Sequence, residues 1–140
     1  MIIGIGNDLC NINRIEGVLN AFGDRFLRRL FSEEEHKSIL SRPISGQSAA
    51  IAKRFAAKEA CAKALGTGIS DGVYLRDLRI SNAKNGKPIL QVFGGAAARL
   101  KAITPQGMSA QVDVSLSDDF PMAMAFVVIS AVDSTLSELA

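Results

Sequence analysis

The sequence predicts an α+β protein in which an antiparallel sheet packs against one long helix. Residues 47–65 are rich in alanine and contain no glycine or proline, which is typical of a long helix. Short apolar segments of strand length occur at the start of the chain and again in its second half. Two of them are joined through Asn85-Gly86, a dipeptide typical of tight hairpin turns.

The elements before the long helix are predicted from apolar spacing and capping residues. Residues 2–9 are expected to form a strand. Asn11 or Asn13 is expected to cap a short helix that follows it. Ser32 and Glu35 have the spacing of a capping box, which predicts the start of another helix.

The long helix is expected to end at Gly66-Thr67-Gly68, because glycine readily adopts the left-handed conformation that terminates helices. A further helix is predicted at 96–103, before Pro105. The remaining apolar segments predict strands at 75–80, 89–93, 110–116 and 122–129.

Length and composition restrict the class of protein. A chain of 140 residues suits one domain, which we expect to span residues 1–140. With 48% apolar and 21% charged residues the chain is expected to fold, and a net charge of +2 gives no indication of nucleic-acid binding. The first residues carry no basic leader and no apolar run is long enough to span a membrane, so a cytoplasmic protein is expected.

The long helix carries an acid and a base on a face that is otherwise small and apolar. At about 100° per residue, Ala56, Ala62 and Lys63 lie within about 60° of Glu59. Glu59 and Lys63 have the spacing of a simple helix salt bridge, which is one interpretation. A functional site is the other, because an ion pair on a buried face is costly without a role.

Asp8 shares its strand face with Gly4 and Gly6, which leave space beside the carboxylate. Glycine within a strand often marks the close approach of another backbone or a ligand. One interpretation is that a helix packs there and Asp8 caps the next turn. The other is that Asp8 and Glu59 form an oxygen site for Mg²⁺, which typically takes one or two protein carboxylates together with water and phosphate.

A zinc site is not favoured by the same residues. Zinc prefers histidine and cysteine ligands, and the chain has one histidine, His36. Cys10 and Cys61 are far apart among apolar neighbours, which predicts small buried residues without a metal or a disulfide.

Several residues are candidates for phosphate binding. Glycine-rich turns can direct backbone N–H groups at an anion, and lysine or arginine side chains supply positive charge. The same turns are also common as helix stops and hairpins, and the chain contains neither a Walker motif nor GxGxxG. The candidates are Arg54, Lys58, Lys63, Gly66-Thr67-Gly68 and Asn85-Gly86-Lys87-Pro88.

A cluster of arginines lies between the first strand and the long helix. Arg25, Arg28 and Arg29 fall within five residues. They form either a solvated surface or a docking site for an acidic partner.

Five segments of the chain follow one another in a recognisable order. They are Gly4-Ile5-Gly6-Asn7-Asp8-Leu9 with Arg14-Ile15-Glu16, Arg54-Phe55-Ala56-Ala57-Lys58-Glu59-Ala60, Lys63-Ala64-Leu65-Gly66-Thr67-Gly68-Ile69, Asn85-Gly86-Lys87-Pro88, and Val114-Ser115-Leu116-Ser117. In this order they resemble the motifs of bacterial holo-(acyl-carrier-protein) synthases, the single-domain 4'-phosphopantetheinyl transferases. The resemblance covers essentially the whole chain, and its central motif is highly specific.

The resemblance implies a fold, a reaction and an assembly. The fold would be that of the 4'-phosphopantetheinyl transferases. The reaction would be transfer of 4'-phosphopantetheine from the co-substrate coenzyme A to a serine of apo acyl carrier protein, in fatty acid biosynthesis. Members of this length form homotrimers with active sites at subunit interfaces.

The resemblance also implies roles for individual residues. Asp8 and Glu59 would be ligands of Mg²⁺, and Lys63 would contact phosphate and support the transfer. Coenzyme A would be bound by Arg54, Lys58, Lys63, Gly66, Thr67, Gly68, Gly86, Lys87 and Pro88. Acyl carrier protein would dock on Arg14, with Arg25, Arg28 and Arg29 extending the surface.

Two positions depart from the family pattern. Many relatives carry a histidine just before and another just after the last motif, where this chain has Asp113 and Asp118. Any contact of coenzyme A with the first histidine is therefore not carried over. Asn7 stands where threonine is frequent, at a variable position.

The expected chemistry is displacement at phosphorus. Mg²⁺ and Lys63 would neutralise charge on the leaving adenosine 3',5'-bisphosphate, and Glu59, directly or through a water, would take the serine proton. One alternative is a transferase for carrier domains of polyketide or peptide synthases, although such enzymes resemble two of these units fused. The other is a non-catalytic module that binds an acidic protein through the arginine surface.

Overall fold

The structure, a computed structural model, describes residues 1–137, within which five strands form two antiparallel sheets. The longest helix packs across the larger sheet, which confirms the predicted α+β class. The elements in chain order are β1 (Ile2–Asn11), α1 (Ile12–Phe22), α2 (Asp24–Leu30), α3 (Glu33–Leu40), α4 (Ile44–Ala64), a 3-10 turn (Leu75–Asp77), β2 (Leu78–Asn82), β3 (Pro88–Val92), α5 (Gly94–Ile103), β4 (Met108–Asp119), β5 (Met122–Asp133) and α6 (Ser134–Ser137).

The central strand of the larger sheet is β5, which pairs with β1 on one side and β4 on the other. Its register places Val127 opposite both Gly6 of β1 and Val114 of β4. Alternate β5 residues face α4 and are fully buried, as are the alanines on the facing side of that helix. Small side chains on both surfaces allow the helix to lie close to the sheet.

Gly4 and Gly6 are where the helix backbone meets β1. A Cβ atom on Gly6 would overlap the carbonyl oxygen of Ala60, and one on Gly4 would overlap that of Ala64. As β1 advances from Gly4 to Gly6, the facing helix residue moves back from Ala64 to Ala60, so the two elements run in opposite directions. The structure thus confirms that a helix packs against these glycines.

Two of the helices begin at the capping residues that the sequence predicts. The side chain of Asn11 accepts hydrogen bonds from the backbone N–H groups of Asn13 and Arg14, at 2.9 and 3.4 Å. Asn11, rather than Asn13, is therefore the N-cap of α1. Ser32 and Glu35 form both hydrogen bonds of a capping box at the start of α3.

Some predicted boundaries are wrong. Helix α4 begins at Ile44, after Pro43, and not at residue 47. The segment predicted as a strand from residue 75 begins with the 3-10 turn, and β2 starts only at Leu78. The turn forms because the N–H of Asp77 donates to the carbonyl of Tyr74. Within residues 1–137, no helix is both long and apolar enough to cross a membrane.

The two cysteines are buried, as the sequence predicts. Cys61 is fully buried in α4, and burial raises the pKa of its thiol to about 12. The thiol therefore remains protonated and acts as a small apolar side chain.

The second face of the larger sheet exposes apolar side chains. Ile5 and Leu9 of β1 are 61% and 64% exposed, and Met124 and Phe126 of β5 are 42% and 43% exposed. Because Asn7, between Ile5 and Leu9, pairs with Phe126, these side chains lie next to one another on one surface. We call Ile5, Leu9, Met124 and Phe126 the outer apolar face.

Candidate active site

The structure brings Asp8 of β1 together with Glu59 and Lys63 of α4. The ammonium of Lys63 binds the Oδ1 of Asp8 and the carbonyl oxygen of Asn7, both at 3.0 Å. The close packing of β1 on α4 therefore joins an acid on the strand to an acid and a base on the helix.

The two carboxylates of this group influence each other. Burial raises the pKa of Glu59, the negative charge of Asp8 raises it further, and Lys63 opposes both effects. Among the described residues, the ion pair of Lys63 is with Asp8 and not with Glu59. The simple helix salt bridge between Glu59 and Lys63 is therefore not formed.

The carboxylates of Asp8 and Glu59 fit a magnesium ion better than a metal ion whose ligands all come from the protein. Two carboxylates that repel each other across a partly buried site are stabilised by a bound cation. In the described part of the chain, no group of three or more His, Cys, Asp or Glu side chains is arranged as metal ligands. Mg²⁺ is the ion whose usual coordination needs only one or two such carboxylates.

Arg54 lies in a different place, on a cleft of about 450 Å³ between α4, the β2–β3 hairpin and β4. Its guanidinium is buried and donates to the carbonyl of Ala50 at 3.1 Å and to the Oδ1 of Asn82 at 3.2 Å. Burial lowers the pKa of Arg54, and the nearby positive charge of Arg42 lowers it further. The cleft is lined by Arg42, Lys53, Arg54, Asn82, Gly86, Lys87, Pro88, Val114, Ser115 and Leu116.

The hairpin at Asn85-Gly86 forms as predicted and supplies one wall of this cleft. Gly86 has φ 87°, in the left-handed region that favours glycine. The side-chain amide of Asn82 donates to the carbonyl of Gly86 at 3.1 Å and also accepts from Arg54. Asn82 therefore joins Arg54 to the hairpin, a role that sequence patterns did not indicate.

The cleft and the carboxylate group are formed by different residues of the chain. The residues that line the cleft include Arg54, Gly86, Lys87 and Pro88 but not Asp8, Glu59 or Lys63. The structure therefore divides the predicted residues into a carboxylate group and a cationic cleft.

Lys58 belongs to neither group, and its contact with coenzyme A, which its internal hydrogen bonds do not favour, stays a prediction. Its side chain is fully buried, and its ammonium donates to Leu30 O at 2.6 Å, Glu35 Oε1 at 2.9 Å and Leu75 O at 2.9 Å. These acceptors use all of its N–H donors. Burial lowers the pKa of Lys58 to about 8, with Glu35 opposing the shift.

The Gly66-Thr67-Gly68 turn ends α4, as predicted. Gly66 and Gly68 have φ of 82° and 63°, and their N–H groups donate to helix carbonyls of Lys63 and Ala62. The Thr67 hydroxyl donates to the carbonyl of Gly68 at 2.8 Å. These hydrogen bonds explain why the helix ends at this turn. The contact of the turn with coenzyme A stays a prediction.

The arginines that the sequence predicts to dock the carrier protein are exposed on α1 and α2. None of Arg14, Arg25, Arg28 and Arg29 has a carboxylate within salt-bridge distance in residues 1–137. Arg25 and Arg29 line one cleft together with Phe26, whereas Arg28 lines another. The surface is therefore positive and partly apolar, with Arg28 set apart from the other two.

The two aspartates that depart from the family pattern have different partners. Asp113 is half-buried on β4 and accepts a hydrogen bond from the side chain of Gln111 at 2.9 Å. Asp118 forms an ion pair of 2.9 Å with Lys53 of α4. Only Asp118 therefore pairs with a residue of the cationic cleft.

Comparison with known proteins agrees with the motif resemblance. A holo-(acyl-carrier-protein) synthase of Bradyrhizobium sp. is 52% identical over 139 residues, covering 98% of this chain and 100% of the relative. The synthase of Neisseria meningitidis, a crystal structure, has 37% identity and a TM-score of 0.81, covering 93% of this chain and 99% of that one.

A synthase of Helicobacter pylori in complex with coenzyme A has 31% identity and a TM-score of 0.75, with 90% and 99% of the two chains covered. The family model of the 4'-phosphopantetheinyl transferase superfamily matches residues 4–125. The match includes both the carboxylate group and the cationic cleft. The chain therefore belongs to the 4'-phosphopantetheinyl transferase superfamily.

Proposed function

We propose that this chain is a holo-(acyl-carrier-protein) synthase, which transfers 4'-phosphopantetheine from coenzyme A to a serine of apo acyl carrier protein. The observation that carries the proposal is the convergence of Asp8, Glu59 and Lys63 from two elements at one site. The name shared by its relatives and the coenzyme A bound to the Helicobacter pylori synthase support the reaction and the co-substrate.

Asp8 and Glu59 would hold Mg²⁺, which when bound supplies positive charge against the diphosphate of coenzyme A. Lys63 adds a second positive charge at the same place. The Lys63 side chain is 51% exposed, so its ammonium can reach a phosphate oxygen while Asp8 holds it in position. In this arrangement the chain supplies cations where negative charge develops.

The reaction makes one phosphorus–oxygen bond and breaks another. The serine oxygen of the carrier protein attacks the phosphorus that bears pantetheine, and the bond to adenosine 3',5'-bisphosphate breaks. Lys63 would neutralise the leaving bisphosphate. Glu59, directly or through a water, would accept the serine proton, because its carboxylate lies at the same site as the phosphate-binding lysine.

The cationic cleft would bind coenzyme A in cooperation with a neighbouring subunit. Because none of the three residues of the carboxylate group lines the cleft, we propose that a site that uses both combines surfaces of two copies. The outer apolar face gives a surface through which copies can assemble, because contiguous exposed apolar residues mark interaction sites. We therefore propose a homotrimer with active sites shared between subunits.

The carrier protein would dock on Arg14, Arg25, Arg28 and Arg29. These side chains have no carboxylate partner among the described residues, so their charge is available to an acidic partner. The proposal also keeps the expectation of a cytoplasmic enzyme, which imaging of a tagged chain would test.

Mass spectrometry of apo acyl carrier protein tests the reaction directly. After incubation with this chain, coenzyme A and Mg²⁺, we expect the carrier to gain one phosphopantetheine. Glu59→Gln and Asp8→Asn should each abolish most of the gain, while Glu34→Gln, on an exposed position of α3, should retain it. No gain with the unmodified chain would leave the binding-module alternative, and full activity of Glu59→Gln would overturn the site.

Substrate range is tested by the same measurement with carrier domains of polyketide and peptide synthases. We expect modification of acyl carrier protein to be faster. Faster modification of the other carriers would favour the alternative transferase.

A further inference from the structure

The cationic cleft concentrates positive charge without a carboxylate in its lining. Arg42, Lys53, Arg54 and Lys87 all border it, and among the described residues no aspartate or glutamate does. The guanidinium of Arg54 is buried beside Arg42 and has Asn82 and a backbone carbonyl as hydrogen-bond acceptors. Four cations around one cleft favour the binding of an anion between them.

Lys53 is the one cation of this group that has an ionic partner in the described chain. Its Nζ lies 2.9 Å from the Oδ1 of Asp118, which stands near the end of β4, just outside the cleft lining. The two side chains are 28% and 37% exposed. Solvent screens such a pair, so its contribution to stability is small and another anion can replace Asp118.

We propose that Lys53 is a phosphate-binding residue of the cleft. In the free protein Asp118 binds the Lys53 ammonium, and a phosphate of coenzyme A replaces the Asp118 carboxylate when the ligand binds. This inference rests on the proposed function and adds two residues to it. Lys53 supplies a charge-assisted hydrogen bond to the ligand, and Asp118 sets the affinity by competing for the same ammonium.

The exchange follows from the charges on the two anions. A carboxylate carries one negative charge, whereas a terminal phosphate carries nearly two at neutral pH. Arg42 and Lys87 attract the phosphate as well, but Asp118 lies outside the cleft lining that they share. The phosphate therefore displaces Asp118 from the Lys53 ammonium when coenzyme A binds. The ion pair between Lys53 and Asp118 forms again after the product leaves.

Isothermal titration of the full-length chain with coenzyme A tests the inference. We expect Lys53→Met to weaken binding about tenfold, because it removes a charge-assisted hydrogen bond. Asp118→Asn should tighten binding about threefold, because the ammonium no longer has a competing partner. Lys53→Arg should restore most of the affinity, and melting curves should show that each variant folds.

Matched controls separate this exchange from a general effect of charge. Lys101→Met removes an exposed lysine of α5, and Glu16→Gln removes an exposed carboxylate of α1. Both should bind coenzyme A within about twofold of the unmodified chain, since neither residue lines the cleft. Equal changes in the controls and the test variants would overturn the inference.

Dephospho-coenzyme A identifies which phosphate Lys53 binds. If it binds the 3'-phosphate, the effect of Lys53→Met disappears with this ligand; if it binds the diphosphate, the effect persists. Loss of the effect supports the inference, whereas a persisting effect contradicts it, because the exchange depends on a phosphate that carries nearly two negative charges.

Unchanged affinity in Lys53→Met, or weaker binding in Asp118→Asn, overturns the inference even if the unmodified chain transfers phosphopantetheine normally. Failure of the unmodified chain to bind coenzyme A overturns the proposed function as well. The two failures are therefore distinguishable.

Discussion

The Nζ of Lys58 lies 2.9 Å from the Oε1 of Glu35, and this buried ion pair fixes α4 to the start of α3. The same ammonium donates to Leu30 at the end of α2 and to Leu75 in the 3-10 turn. The other carboxylate oxygen of Glu35 accepts from the N–H of Ile80 in β2, at 3.1 Å. The ion pair and its hydrogen bonds therefore connect α2, the β2–β3 hairpin and α4, the helix that carries Glu59.

Replacement of Lys58 should unfold the protein more readily. We expect Lys58→Met to lower the free energy of unfolding by about 3–5 kcal/mol, because it leaves the Glu35 carboxylate buried without a cation. Urea denaturation followed by circular dichroism measures this change. Lys101→Met, on an exposed position, should stay within about 0.5 kcal/mol of the unmodified chain.

A double-variant cycle checks that the effect belongs to the pair. The cost of Lys58→Met with Glu35→Gln should be smaller than the sum of the two single costs, because the double variant has no unpaired buried charge. Additive costs would show that the two side chains do not act together.

The role of Lys58 could not be predicted from its motif, because its partners are remote in sequence. Leu30 and Glu35 lie 28 and 23 residues away, and only the packing of α2 and α3 on α4 brings them to the ammonium. Helix geometry partly indicated that Lys58 is not part of the carboxylate group. Adjacent residues of a helix point about 100° apart, so Lys58 cannot share the face of Glu59. Lys63, on that face, is where the sequence predicted it.

Alanine at Gly6 should disrupt the packing of β1 on α4. Its Cβ would overlap the Ala60 carbonyl and crowd the backbone N of Ala64, neither of which can move without displacing the helix. We expect Gly6→Ala to cost at least about 2 kcal/mol of unfolding free energy. Activity should also fall, because the same packing places Asp8 beside the helix.

Gly17 provides the matched control for this substitution. It lies within α1, and a Cβ there would meet no atom within 4 Å. Gly17→Ala should therefore stabilise the protein by about 0.5–1 kcal/mol. If both alanine variants had similar stability, close backbone packing at Gly6 would be disproved.

The alternation of glycines in β1 indicated that another backbone packs closely against this strand. It did not indicate which helix turn makes the contact. Gly4 and Gly6 on one face predicted a close neighbour, and the long alanine-rich helix was the candidate. Which helix turn meets which glycine depends on the loop and helices between them, and sequence patterns do not specify that path. The cationic cleft was also only partly predicted, because Asn82, Arg42 and Lys53 belong to no recognised motif.

Reversal of charge at Arg14 should weaken carrier-protein binding selectively. Arg14 is exposed in the first turn of α1 and is separate from the cationic cleft. We expect Arg14→Glu to raise the KM for acyl carrier protein about tenfold, because charge at an interface rim governs association. The KM for coenzyme A should change little, and Lys101→Glu should change neither constant. Equal increases for both substrates would contradict docking at Arg14.

A charge on the outer apolar face should dissociate the proposed homotrimer. We expect the unmodified chain to have three times the mass of 14.9 kDa for one copy in sedimentation measurements. Phe126→Glu should reduce it to one copy, because the face would then bury a carboxylate without a partner. Ile44→Glu, at a position 87% exposed in α4, should leave the assembly intact. A trimer that survives Phe126→Glu would place the interface elsewhere.

Mixed trimers then show whether the active site is shared. Glu59→Gln impairs the carboxylate group and Lys87→Glu impairs the cationic cleft, which are separate on one chain. If a site combines the carboxylates of one subunit with the cleft of the next, co-expressed chains form some sites in which both parts are intact. We therefore expect the mixture to regain activity that neither variant has alone. Without that gain in stable trimers, each site would lie within a single subunit, and the separation of cleft and carboxylates would need a movement of the chain.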